Sequence, residues 1–257
     1  MKRQKPAEIS ATYGRLRAHH SDAHCELVHG NPFELICATV LSAQTTDVAV
    51  NKVTPNLFQK FPNPASMASA GEGAIEALIS SIGMYRQKAK NLRGLAALLL
   101  AKHEGVVPQT LAELVELPGV GRKTANVVLG VAFGKAEGFV VDTHVQRISQ
   151  RLGWTKETEP VPIEQDLMTV LPKPEWPHAS HVLIFHGRRI CSAQKPDCET
   201  CPVNDLCPSA FKAEHVGRKG GPEKFKAVAA AKKAAKKAAK KKSSSRRALG
   251  TKSSRSA

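Results

Sequence analysis

No apolar run in this 257-residue chain approaches the ~20 residues that cross a bilayer, and the longest candidate, residues 95–101, falls far short. No apolar stretch follows the basic start Met1-Lys2-Arg3-Gln4-Lys5-Pro6, so no export signal is expected and the chain reads as soluble and cytoplasmic. Alternation at period two is nearly absent, which leaves little place for half-buried strands. Only Phe139-Val140-Val141 suggests a short strand, with nothing evident to pair with it. Most of the chain also lacks net charge. Of the formal +16, residues 1–211 carry +2 and residues 212–257 carry +14, the latter from sixteen basic and two acidic side chains. Such a body needs a local basic face to hold nucleic acid, whereas the tail seeks polyanions by charge alone.

What is present is helical pattern. Residues 75–79, 89–100 and 124–133 place apolar side chains three and four apart. Asn31-Pro32, Phe61-Pro62-Asn63-Pro64, residues 105–108 and residues 118–121 punctuate them. The fold class expected is all-α, with an apolar fraction of 42% that suffices for one or two domains with sizeable cores. Beyond residue 212 the composition becomes Lys/Ala-rich. Its lysine pairs repeat every four residues, so like charges would stack along any helix, and little apolar surface offsets the ordering entropy. Residues 212–257 are therefore expected to be a disordered basic tail, either a nucleic-acid-contacting arm or a solubilising appendage.

Three local patterns carry chemistry. Residues 111–117 read as a helix, Pro118 and Gly119 stop it, and a second helix begins after Gly121 with Arg122-Lys123-Thr124-Ala125. Two helices joined by Pro-Gly-x-Gly set unpaired backbone N–H groups and a positive helix end at one corner, which suits a phosphate as well as a plain tight connection. Phe139-Val140-Val141-Asp142-Thr143-His144 places an aspartate before the helix expected at 145–152, where spacing alone favours a helix cap. Cys191, Cys198, Cys201 and Cys207 lie within 17 residues, while Cys25 and Cys37 stand apart. In a chain without an export signal the cluster reads as a metal site, zinc or iron–sulfur; a single Cys-x2-Cys pair weakens zinc.

The full string Leu117-Pro118-Gly119-Val120-Gly121-Arg122-Lys123-Thr124-Ala125 resembles the helix-hairpin-helix of the endonuclease III family of DNA glycosylases. So do Val141-Asp142-Thr143-His144, the spacing Cys-x6-Cys-x2-Cys-x5-Cys, and Leu41-Ser42-Ala43-Gln44-Thr45-Thr46-Asp47. The resemblance spans roughly residues 7–210. It implies a base excision repair enzyme that removes oxidised pyrimidines and cleaves 3′ to the abasic site by β-elimination. Lys123 would be the nucleophile, Asp142 its catalytic carboxylate, and Cys191, Cys198, Cys201 and Cys207 the ligands of a 4Fe-4S cluster. Gln44 would fill the gap left by a flipped base, and Met84 would stand at a wedge where relatives commonly have leucine. Gly119, Gly121, Arg122, His144 and Lys195 would meet the DNA, although Gln194 and Asp197 stand where relatives can be basic. A plain helix-end role for Gln44, a surface role for His144 and a simple phosphate contact for Lys123 are the alternatives at single residues.

The implied architecture has two lobes. A six-helix lobe at about 26–136 contains the hairpin (about 111–133), and residues 1–25 with 137–211 form the cluster lobe. The partner would be duplex DNA holding damaged bases or abasic sites, with the protein a nucleoid-associated monomer that engages no membrane. Bringing a free lysine from ~10.4 to a working ~7–8 takes about 3.3–4.6 kcal/mol. A helix N-terminus supplies only ~0.3–1, or up to ~2 when partly buried, so a closed pocket is expected around the lysine. Two rivals remain: the adenine-mispair glycosylases of the same superfamily, which usually lack the lysine, and a non-catalytic DNA-binding protein using hairpin and tail.

Overall fold

Side-chain caps set where many of the helices begin. In the computed structural model, which describes residues 4–217, eleven α-helices follow one another. They are α1 (Pro6–His19), α2 (Pro32–Leu41), α3 (Asp47–Lys60), α4 (Pro64–Ala68), α5 (Ala74–Ile79), α6 (Tyr85–His103), α7 (Leu111–Glu116), α8 (Arg122–Phe133), α9 (Thr143–Arg151), α10 (Pro160–Val170) and α11 (Trp176–Arg189). Asn31 accepts from the Glu34 N–H at 2.9 Å, with Pro32 in the first turn, and Asn63 repeats that arrangement for α4. Thr46 and Thr110 cap α3 and α7. Each cap satisfies an N–H that the helix itself leaves unpaired.

No strand forms among the described residues. Phe139, Val140 and Val141 instead run through the interior as a buried connection, and the Val140 N–H donates to Ser180 Oγ at 3.1 Å.

The buried apolar side chains fall into two clusters. One runs from Leu27 to Leu129 and includes nearly all of α2, whose residues 33–41 contain only one side chain, Glu34, that is not buried. The other joins Ile9, Tyr13, Leu16 and Ala23 to residues between Phe139 and Val203. The span expected to hold six helices holds seven, α2 to α8, because Asn63 and Pro64 start the five-residue α4 rather than merely interrupting the chain.

Arg188 of α11 reaches Asp47 at 2.8 Å and pairs with Glu26, and Arg122 of α8 reaches Glu164 of α10 at 2.7 Å. Side chains of the two clusters' elements are thus tied at two places. Ordered packing continues past the boundary expected at 211/212: Ala213 is buried and the Val216 carbonyl accepts from Arg151 Nε at 3.0 Å. The expected disordered tail from residue 218 onward lies outside the described residues.

Candidate active site

The corner between α7 and α8 is built by its apolar residues. Leu117 and Val120 are buried in the first cluster, and Pro118 packs on α6 where Gly94 leaves room. Between them Gly119 adopts φ +81°, and a Cβ there would stand 2.8 Å from Asn91 Nδ2. Both the left-handed backbone and the close side chain require glycine. Gly121 differs: its φ of −99° is ordinary and an added Cβ would meet nothing within 4 Å. It caps α8 with no side-chain hydrogen bond, so the first N–H groups of α8 receive no side-chain acceptor from the cap.

Lys123 is the second residue of α8, and its side chain is exposed. The closed pocket expected around it is not formed among the described residues. Arg122, expected at DNA, turns instead to the second cluster's side. Its Nε donates to Glu164 Oε2 at 2.7 Å and its Nη2 to Oε1 at 3.1 Å, while Asn126 Nδ2 donates to Oε1 at 2.9 Å. Hydrogen bonding to Glu164 holds the guanidinium's pKa above its ordinary value.

Asp142 is half-buried and caps α9, its Oδ1 accepting from the N–H groups of His144 and Val145, both at 2.8 Å. The cap role that its spacing suggested is present; Oδ1 carries the cap bonds, and Oδ2 has no hydrogen bond among the described residues. The charge of Asp142 acts on Arg147, Arg188, His144 and His181. His144 is half-buried rather than on the surface. Burial lowers its pKa, and its Nδ1 faces Arg147 Nη2 at 3.2 Å.

Gln44 and Met84 share an uncommon feature. They are exposed non-glycine residues with φ of 54° and 56°. The left-handed region costs such residues about 1–2 kcal/mol and marks positions held by their surroundings. Part of that holding is visible: the buried Lys88, one turn into α6 after Met84, donates from Nζ to Thr45 Oγ1 at 2.6 Å, next to Gln44. Burial lowers the pKa of this lysine.

Cys191, Cys198, Cys201 and Cys207 line one cavity, open in part to solvent, with Arg151 and His186 in its wall. Burial raises the Cys201 thiol and takes Cys207 up to about 11, so the thiolate forms need compensating positive charge such as bound iron supplies. Arg151, fully buried, donates to Cys191 Sγ at 3.1 Å and to the carbonyls of Cys191, Ser192 and Ala193, which holds the start of the loop. Four thiols around one cavity, with a cationic donor to one of them, fit an iron–sulfur cluster. Lys195 is exposed on that loop, whose turn is closed by Ser192 Oγ and the Lys195 backbone.

Sequence reasoning missed Glu164, Asn126, Lys88, Arg151 and Arg188. Asn126 alone left a trace, as a polar residue inside the apolar run of α8.

Comparison with known proteins gives a consistent result. Residues 37–173 match the family described as HhH-GPD superfamily base excision DNA repair protein, and residues 191–207 match the iron-sulfur binding domain of endonuclease III. The chain is 49% identical over 209 residues to "Endonuclease III" of Synechocystis sp., covering 81% of this chain and 94% of the relative. It is 48% identical over 196 residues to that of Bacillus subtilis, covering 76% and 89%. A solved structure titled "Structure of a Trapped Endonuclease III-DNA Covalent Intermediate: Estranged-Adenine Complex" superposes with a TM-score of 0.77 at 47% identity, covering 81% of this chain and 98% of the other.

Proposed function

Since the chain belongs to the endonuclease III family of HhH-GPD base excision DNA repair proteins, we propose that Lys123 is its nucleophile and Asp142 the carboxylate that works with it. The protein is a DNA glycosylase and abasic-site lyase that acts on DNA and carries a 4Fe-4S cluster. Its place of action is wherever cellular DNA is held, the nucleoid in a bacterium, and its preferred lesions are oxidised pyrimidines.

The observation that carries the residue assignment is an exposed lysine in the first turn of a helix whose cap makes no side-chain hydrogen bond, two residues after a glycine that no packing contact requires. An open Gly121 and bare N–H groups suit a DNA phosphate that must approach the backbone closely. Lys123 then stands beside the nucleotide whose phosphate is gripped. Its neutral amine attacks C1′; the bond from C1′ to the base breaks, and the electron pair and a proton go to the base. The nitrogen loses its proton as the imine forms and the sugar opens. Loss of the C2′ proton then expels the 3′ phosphate. Asp142 stabilises positive charge on the sugar and accepts the lysine's proton through Oδ2. When bound, the cluster gives the 191–207 loop a structural core and a centre capable of electron exchange.

Because Lys123 is exposed in the free protein, the desolvation its chemistry requires comes from the bound DNA. Gln44 and Met84 occupy the space that the extruded nucleotide leaves, and Lys195 meets the backbone. The Arg122 guanidinium is paired with Glu164, so Arg122 meets the DNA through its backbone N–H at the start of α8.

Borohydride trapping on a duplex with one abasic site tests the assignment. Wild-type protein forms a covalent adduct and Lys123→Ala forms none. Asp142→Asn keeps the cap, since asparagine caps as well as aspartate, and so retains the melting temperature while losing most base release. An adduct with Lys123→Ala, or full base release with Asp142→Asn, overturns it.

A further inference from the structure

Lys123 stands on α8, whose side chains pack in the first cluster, while Asp142 starts α9, whose side chains pack in the second. Chemistry that needs both groups at one sugar depends on how these two elements are held. Beside Lys123 the structure holds them with Arg122, Asn126 and Glu164. Glu164 is a buried carboxylate with a side chain only 5% exposed, and it belongs to α10 of the second cluster. It accepts three hydrogen bonds from α8: two from the Arg122 guanidinium and one from the Asn126 amide. The Asn126 Oδ1 has no partner, so the amide is oriented by what it gives to Glu164. The chain makes room for the group as well. A Cβ on Gly138 would overlap both Glu164 Oε1 and Asn126 Nδ2. Gly138 lies on the segment that leads into Asp142, so α8, α10 and that segment converge on one carboxylate.

We propose that Glu164 is a positioning residue for the base-excision reaction: with Arg122 and Asn126 it forms a clasp that fixes the start of α8, and so Lys123, relative to Asp142. The inference rests on the reading of Lys123 as nucleophile. Its physical basis is the steep dependence of rate on placement, where a displacement of about 1 Å can cost roughly a hundredfold. A paired guanidinium–carboxylate is directional and two-point, unlike an apolar contact, and so fixes orientation as well as distance. An apolar pair of similar volume can match a buried ion pair in stability, so stability and positioning can be separated.

The test uses the full chain with its cluster. Glu164→Gln and the double variant Arg122→Met/Glu164→Leu are compared with wild type for melting temperature, for dissociation constant on a duplex with a non-cleavable abasic analogue, and for single-turnover base release and borohydride trapping at saturating protein. The clasp predicts that Glu164→Gln loses roughly ten- to hundredfold in single-turnover rate with much less change in DNA affinity. It further predicts that the double variant, chosen to restore melting temperature, does not restore the rate. Wild-type single-turnover rates in Glu164→Gln, or a rate in the double variant that recovers with the melting temperature, overturn the clasp. The Lys123→Ala control separates the two readings. If Lys123→Ala still traps, the nucleophile assignment fails and the clasp falls with it; if it does not trap while Glu164→Gln reacts at the wild-type rate, the clasp alone fails.

Discussion

Gly119→Ala and Gly121→Ala are expected to damage the protein in different ways, although only Val120 separates the two glycines. At Gly119 the backbone lies at φ +81° and the new Cβ would press on Asn91, 2.8 Å from its Nδ2. The left-handed backbone costs about 1–2 kcal/mol, and crowding a packed side chain adds about 1–3, although the partly exposed Asn91 can yield some of that. A destabilisation near 2–3 kcal/mol lowers the melting temperature of a body this size by roughly 4–12 °C. At Gly121 the φ is −99° and the Cβ meets open space. Only the small preference of a helix cap for glycine over alanine is lost, about 0.5–1 kcal/mol. A methyl group at that point does obstruct a phosphate approaching the N–H groups of α8. Losing one charge-assisted hydrogen bond, worth about 1.5–3 kcal/mol, weakens DNA binding roughly ten- to hundredfold. The assay is fluorescence anisotropy on a duplex with a non-cleavable abasic analogue across a salt series, beside thermal melting. Gly121→Ala should bind weakly and melt near wild type. Its slope of log K against log salt should fall by about 0.9 for each phosphate the protein no longer holds. If Gly121→Ala binds DNA as wild type does, or melts as low as Gly119→Ala, the phosphate reading of this corner is wrong.

Deleting residues 218–257, which hold most of the excess positive charge, should weaken binding to any duplex and lower the salt slope by roughly 4–5 if about five phosphates are engaged; an unchanged slope contradicts a DNA-contacting tail. Burial holds the pKa of His20 at about 4 in the folded chain, against ~6.5 when unfolded. The unfolded state therefore binds more protons between those values, and stability falls as pH drops from ~6.5 toward ~4. Urea unfolding at pH ~7 and ~4.5 should show His20→Gln losing less stability on acidification than wild type; equal losses contradict a neutral buried histidine. Removing iron with a chelator should raise amide exchange in α9, α11 and residues 191–207, because Arg151 and His186 link those elements at the cysteine cavity. Exchange that rises first in α2 to α6 contradicts that coupling.

The helices that frame the hairpin were legible because Pro118, Gly119 and Gly121 interrupt two clear apolar spacings. The short α4 was not, since five residues give too little periodicity and only the Asn63 cap marks its start. Phe139-Val140-Val141 reads as a strand by composition, but its Val140 N–H is taken by a distant hydroxyl, Ser180, which no local pattern reveals. At the site, the sequence identifies Lys123, Asp142 and the four cysteines as the residues to examine. The fate of Arg122 was hidden because Glu164 lies 42 residues away on a helix with no special signature. The left-handed backbone at Gln44 and Met84 was equally hidden, as neither residue type suggests it. The expected closed pocket was an energetic requirement, and the exposure of Lys123 transfers that requirement to the protein–DNA complex.

The central claim is that Lys123 becomes covalently joined to the sugar. The most direct measurement reduces the wild-type protein with borohydride on a duplex carrying one abasic site, digests both components, and locates the adduct by peptide mass spectrometry. The account predicts a sugar remnant on Lys123 and on no other lysine. A remnant on Lys88, on a tail lysine or on the N-terminal amine, with Lys123 unmodified, contradicts it.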